Sequence, residues 1–166
     1  MMAVTEKGLE RLKSRGHLPE DFLQKVAEFF REYAEKFHFG KEEGRFFEEM
    51  EEAGVFQQLP IESIVEEHYI GRSYLKKIAK AACECRFDDA QWLQETVRCL
   101  EGFIDHLRSH SRKENRILYP LSESLIPPER DEKIMESYRQ IEAKYPGYQE
   151  KYSRMVEELE RAFGDQ

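Results

Sequence analysis

The sequence predicts an all-α protein, an up-and-down four-helix bundle followed by an additional C-terminal helical pair. Three observations carry this. Apolar residues recur with the 3.6-residue period of an amphipathic helix and almost nowhere alternate as in a strand. Proline and glycine punctuate the periodic segments. The links between long segments are short, which favours antiparallel neighbours. The first helix is expected from about Thr5 to Arg15, with Thr5 as N-cap and Gly16 as the stop. Pro19 suits the first position of a second helix that continues to about Glu52, ahead of Gly54. Pro60 opens a third helix that fades near Cys83-Glu84-Cys85. Asp88 or Asp89 caps a long fourth helix that runs to Tyr119 and is closed by Pro120. Beyond Pro127-Pro128, two shorter amphipathic stretches, Glu129 to Lys144 and Tyr148 to Phe163, are split by Pro146-Gly147. The chain reads as one domain over 1–166, with the bundle core at about 5–121 and the helical pair at about 128–163.

Composition narrows the functional classes. The 166 residues hold 26 Lys+Arg against 34 Asp+Glu, a net charge of −8. Such an acidic chain lacks the basic footprint that nucleic-acid binding requires. No apolar run approaches the roughly 20 residues that span a bilayer, and the N-terminus lacks the layout of a secretory signal. A soluble, cytoplasmic protein is expected. Cys83, Cys85 and Cys99 show no disulfide framework and suit reduced thiols. There is no Gly-rich phosphate loop, no nucleophile elbow and no zincin motif.

The informative residues are polar groups placed where the core should be. The third helix carries a seam of Ile61, Ile64, His68, Gly71, Leu75, Ile78 and Ala82, with His68 in its middle. The fourth carries Leu93, Val97, Leu100, Ile104, Leu107, Ser111, Glu114, Leu118 and Leu121, interrupted by Glu114. His110 lies one turn before Glu114 on the same face. On the second helix the i+4 row Phe30, Ala34, His38, Glu42, Phe46, Met50 is apolar except at its centre. Five core-facing groups therefore cluster: His38, Glu42, His68, His110 and Glu114. Burying two carboxylates without a cationic partner costs several kcal/mol each. Each histidine taken alone is more simply a satisfied core residue, but the coincidence of five points to a metal held by the bundle. Imidazole with carboxylate suits iron, manganese or zinc, and a bridging glutamate can hold two metals about 3.5–4 Å apart. His17, in the turn before the second helix, lies roughly 29 Å from His38 at 1.5 Å per residue and cannot join them. His106 falls at the core edge, as a residue behind the ligands or an ordinary boundary histidine, with a place among the ligands as the lesser alternative. Arg72, one turn after His68, is placed either to neutralise a site carboxylate or to stay solvated.

Three segments, His38-Phe39-Gly40-Lys41-Glu42-Glu43, Glu67-His68-Tyr69-Ile70-Gly71-Arg72 and His110 to Pro120, together resemble the signatures of bacterial hemerythrin-like (HHE cation-binding) domains. The resemblance implies a four-helix bundle with a non-haem di-iron centre, in which His38, His68 and His110 are terminal ligands and Glu42 and Glu114 bridge. It also implies O2 or NO binding, iron or redox sensing, or repair of damaged iron centres. Two departures stand out. Hemerythrins proper carry a second histidine one turn after the third-helix ligand, where this chain has Arg72, which argues against simple O2 carriage. The family also supplies a first-helix histidine. By geometry that residue belongs about 19 residues back from the turn, near position −4, so the first helix reads as truncated. The start could be internal to a longer frame, a short form could hold an asymmetric metal pair, or a second copy of the chain could cover the exposed face of Phe30 and Phe37.

The expected function is therefore binding or sensing of O2, NO or a reactive oxygen species at a di-iron site, rather than turnover. A di-iron oxidoreductase or iron-centre repair protein is the enzymatic alternative. A metal-free helical interaction module is the structural one.

Overall fold

The computed structural model describes residues 1–55 and 61–164. Among them it contains helices and no strand. Helix α1 spans Met2–Arg15. Helix α2 runs from 22 to 52 as an α-helical Phe22–Phe29, a π-helical Phe30–Phe39, a segment Glu42–Phe46 kinked at Gly44, whose φ of −83° and ψ of −129° are not helical, and an α-helical Phe47–Glu52. Helix α3 is Ile61–Glu84. Helix α4 is Ala90–Lys113, continuing through a π-helical Glu114–Leu118 into Tyr119–Leu125. Helices α5, Pro128–Lys144, and α6, Tyr148–Gly164, form the C-terminal pair. Helix α4 packs along both α1 and α3, and α3 packs along α2.

Most helix boundaries fall where the sequence places them. Gly16 ends α1 in the left-handed region at φ 72°, and the Asp89 carboxylate caps α4 by accepting from the Gln91 and Trp92 backbone N–H groups. Three boundary expectations are corrected. Thr5 is not an N-cap: the helix already begins at Met2, and the buried Thr5 hydroxyl donates to the Met1 carbonyl one turn back. Pro19 is not the first residue of α2 but part of a turn, since the Phe22 N–H donates to the Pro19 carbonyl and Asp21 sits just before the helix at φ 59°. Pro120 does not close α4, which runs on to Leu125. A proline ring clashes with the carbonyl four residues earlier in an α-helix. The π-helical turn directly before Pro120 displaces that carbonyl, so the helix continues. Pro60 lies outside the described residues.

The π-helical turns also explain why the i+4 row of α2 stays on one face. In a 3.6-residue helix such a row drifts about 40° per step. Widening the turn counteracts the drift, and Phe30, Glu42, Phe46 and Met50 all remain buried.

The apolar core forms two clusters. One contains Val4, Leu12, Phe22, Val26, Phe30, Ile78, Leu100, Phe103 and Ile104. The other contains Phe46, Phe47, Met50, Ile61, Ile64, Leu118 and Ile134. On α2, α3 and α4 alike, the polar groups at 38–42, 68 and 110–114 lie between residues of the two clusters. Full burial of a Leu or Phe contributes about 1.5–3 kcal/mol, so the clusters supply ample stabilisation on either side of a costly polar layer.

The C-terminal pair covers the flank of α2. Tyr152 is fully buried and meets Phe29 and Tyr33 at ring separations of 5.7 and 5.6 Å, while Phe163 meets Phe22 at 5.4 Å. Phe30 packs edge-on against Phe103, and Phe37 lies against Tyr145 and Tyr148. The Phe30 and Phe37 side chains, for which a second copy was one of three possible covers, are thus packed from within the chain. Helix α5 is fastened by Arg130, whose guanidinium donates to the fully buried Glu49 carboxylate at 2.7 Å.

Candidate metal centre

Helices α2, α3 and α4 bring all five sequence-predicted groups together. Two triads of donor atoms each fall within 4.8 Å: His68, His110 and Glu114, and His38, Glu42 and Glu114. Glu114 belongs to both. The Glu42 carboxylate lies between the triads, with Oε1 3.9 Å from His38 Nε2 and Oε2 3.5 Å from His68 Nε2.

Glu42, His68, His110 and Glu114 are buried. His38 differs from the expectation: its side chain is 42% exposed, so it stands at the margin of the core and not within it. The physical reason is its position next to Phe37 and Phe39, both of which are buried and leave His38 the outer part of that turn.

The buried atoms show what the site lacks. His68 Nε2, His110 Nε2, Glu42 Oε2 and Glu114 Oε1 have no hydrogen-bond partner. Unpaired buried polar groups cost about 1–3 kcal/mol each, more when charged, and are rare in native proteins. Here four converge. His110 Nε2 and Glu114 Oε1 are 2.8 Å apart without the alignment of a hydrogen bond. Lone pairs turned toward a shared space are the arrangement a cation would complete, and the donor set fits a metal ion.

The opposite edge of each buried imidazole is held. His68 Nδ1 contacts Glu43 Oε1 at 2.6 Å, and Glu43 in turn accepts two hydrogen bonds from Arg72 Nη2 at 2.9 and 3.1 Å. His110 Nδ1 contacts Glu67 Oε2 at 3.0 Å, and Lys113 Nζ donates to Glu67 Oε1 at 2.5 Å. An ionised carboxylate only accepts, so each Nδ1 carries a proton and, in the neutral ring, Nε2 is the nitrogen that presents a lone pair. Phe39 stacks on His68 with ring centroids 3.7 Å apart, which fixes the ring plane.

Electrostatics follow from burial. Desolvation pushes the His68 imidazole down to about 3, with the neighbouring His110 acting in the same direction, so His68 is neutral as a ligand must be. Burial also pushes the Glu42 carboxyl up to about 8, aided by the charge of Glu114 and opposed by the Tyr119 hydrogen bond. Burial lowers His110, but the Glu114 and Glu67 carboxylates outweigh it and leave the imidazole raised.

Arg72 resolves the alternative left by the sequence. Its guanidinium pairs with Glu43 and, at 3.2 Å, with Glu35, so it neutralises the carboxylate behind His68 and not a donor itself. His106 is half-buried at the core edge, its ring parallel to that of His110 at 6.1 Å and outside both triads. His17 is exposed, as its distance along the chain requires. The sequence reading missed Glu43, Glu67 and Tyr119. Glu43 and Glu67 sit immediately beside Glu42 and His68, off the apolar seams, and each reaches across to the next helix. That adjacency of a second acid to each donor is the signal that could have found them.

A helical bundle with a largely buried layer of imidazoles and carboxylates that could hold a metal defines the class of cation-binding four-helix proteins. Residues 2–122 match the family described as the hemerythrin HHE cation-binding domain, and the chain belongs to that family. Its domains bind metal ions, usually iron. No curated protein and no solved structure matches the chain. Among the described residues no helix is long and apolar enough to cross a membrane.

Proposed function

We propose that the chain, acting as one unit in the cytoplasm, holds two iron ions in a non-haem centre and uses it to bind or sense O2, NO or a reactive oxygen species. His68, His110 and Glu114 would hold one ion, and His38 and Glu42 with the shared Glu114 would hold the other. The observation that carries this reading is the pair of donor triads joined through one carboxylate, with four of their buried atoms unpartnered. When bound, an iron pair of this kind supplies redox capacity and an open position for a small ligand. The protein's own residues do the rest. Glu43 and Glu67 keep the two buried imidazoles in the donor tautomer, Phe39 and Phe47 exclude water around His68, and the half-exposed His38 leaves an approach from solvent. A diatomic or peroxide is small enough for such an approach.

The same exposure of His38 favours a second reading, an iron-centre repair protein or di-iron oxidoreductase, because an ion held by one imidazole at the margin is easier to release. Metal analysis of the purified protein tests the primary reading. Two irons per chain and the optical bands of an oxo-bridged ferric pair are expected, with both lost in His110→Ala. Metal-free protein, or unchanged metal content in the variant, would show a helical module without this centre. Consumption of peroxide or NO with a reductant, or transfer of iron to an acceptor, would move the assignment to the second reading.

A further inference from the structure

Tyr119 lies outside every role assigned above, yet its phenol donates to Glu42 Oε1 at 2.5 Å, a short bond to a buried carboxylate. The rest of the Glu42 carboxylate is unheld: Oε2 has no hydrogen-bond partner. The Tyr119 hydrogen bond therefore helps to fix which way Glu42 faces, with Oε1 toward His38 and Oε2 toward His68.

The local backbone brings Tyr119 there. Tyr119 follows Glu114 by five residues, and in an α-helix five residues turn the chain by about 500°, which leaves the two side chains about 140° apart. The segment Glu114–Leu118 is π-helical, and its i→i+5 repeat brings position 119 back over position 114. Glu114 and Tyr119 consequently reach the same partner, Glu42, from one face of α4. Pro120 follows at once, which holds the helix in a register that an uninterrupted α-helix could not accept.

We propose that Tyr119 is a positioning residue that aims Glu42 Oε1 at the triad containing His38, so that this triad depends on the Tyr119 hydroxyl while the triad containing His68, His110 and Glu114, to which Glu42 does not belong, does not. The proposal rests on the metal-centre reading above. Loss of a residue that orients a metal ligand through a hydrogen bond typically weakens the metal by about 10–100-fold.

The test is a titration of metal-free full-length protein with Co(II), followed by calorimetry and by the ligand-field spectrum of each equivalent. In Tyr119→Phe the first equivalent should bind as in the wild type and the second about 10–100-fold more weakly, with a changed spectrum for the second ion alone. In a Glu42→Ala background, Tyr119→Phe should have no further effect. Tyr138→Phe, at a half-buried phenol packed against the same apolar cluster without a hydrogen bond to Glu42, should bind both ions normally. A wild-type measurement guards against a misfolded variant: the second equivalent of Zn(II) should produce a tyrosine difference absorption. An unchanged second affinity in Tyr119→Phe, an equal loss in the Glu42→Ala background, or no tyrosine signal in the wild type overturns the proposal and leaves the metal centre standing. Wild-type protein that takes up neither ion overturns the metal centre itself, and the role of Tyr119 with it.

Discussion

His68 and His110 stand in the core, each with one ring nitrogen turned to the shared space and the other pinned by a carboxylate that is itself held by Arg72 or Lys113. His38 has none of this. Its ring is half-exposed, no hydrogen bond to it is made among the described residues, and its partners are Glu42 and the Glu114 it shares. One structure thus presents two donor sets built from the same residue types with opposite degrees of preorganisation. The buried set has its rotamers and tautomers fixed in advance, so little ordering is left for the binding event. The marginal set has one buried carboxylate of its own, Glu42, held by the Tyr119 hydroxyl. The difference teaches that sharing Glu114 does not make two donor sets equivalent, and that the less preorganised set is the one open to solvent.

The largest effect should come from breaking the preorganised side. His110→Ala removes a donor from the buried set and strips Glu114 of its nearest neighbour, so metal content should fall close to zero by elemental analysis. Retention of one ion would mean that the sets are independent of each other. His38→Ala should be milder and more selective: one ion is lost and one kept. The melting temperature of the metal-free protein should barely move, because truncating a half-exposed side chain costs about 0.5 kcal/mol or less. Glu67→Gln keeps the shape and an acceptor for His110 but removes the charge that polarises it. Chelator competition should show the first ion weakened by about 10–100-fold, and an equal weakening of both ions would deny the distinction between the sets.

The smallest effect is on pH dependence in the metal-free protein. In the metal-free protein Glu42 is raised to about 8 when folded, above its unfolded value, so below that pH the fold favours its protonated form. Its contribution is fully present below the unfolded carboxylate range and is lost as pH rises through about 8. His110 is also raised and acts in the same direction above its unfolded value of about 6.5. His68, lowered to about 3, acts oppositely, but only between about 3 and 6.5. Denaturation of the metal-free protein should therefore show falling stability from pH 6.5 to 9. Glu42→Gln should flatten part of that slope, and an unaltered slope would remove Glu42 from the account.

Much of this was legible in the sequence because burial and periodicity are linked. The seams through Ile64, His68 and Ile78 and through Leu100, Ile104, Glu114 and Leu118 coincide with buried positions, and the five donors stand out because they interrupt those seams. Features that the period does not encode stayed hidden. The apolar seam read along α4 keeps the α-helical period and does not show its π-helical turn, so neither the continuation of α4 past Pro120 nor the approach of Tyr119 to Glu42 could be read from it. Glu43 and Glu67 lie off the seams and look like ordinary surface acids until the neighbouring helix is in place. The covering of Phe37 by Tyr145 and Tyr148 depends on how the C-terminal pair folds back, which short-range pattern does not specify.

The π-helical turns also bear on how such a chain can change over generations. Both His-x-x-x-Glu pairs end on the first residue of a segment that departs from the α form, at Glu42 and at Glu114. The second of these, Glu114–Leu118, stores one more residue in a turn than an α-helix would. Deleting one residue from Glu114–Leu118 would let four residues close the turn that five close now, so the helix would relax to the α form with its flanking faces in nearly the same register. A deletion in the α-helical parts on either side would instead rotate everything beyond it by about 100°. A lineage carrying this donor layer should therefore tolerate a change of length inside that turn far better than beside it.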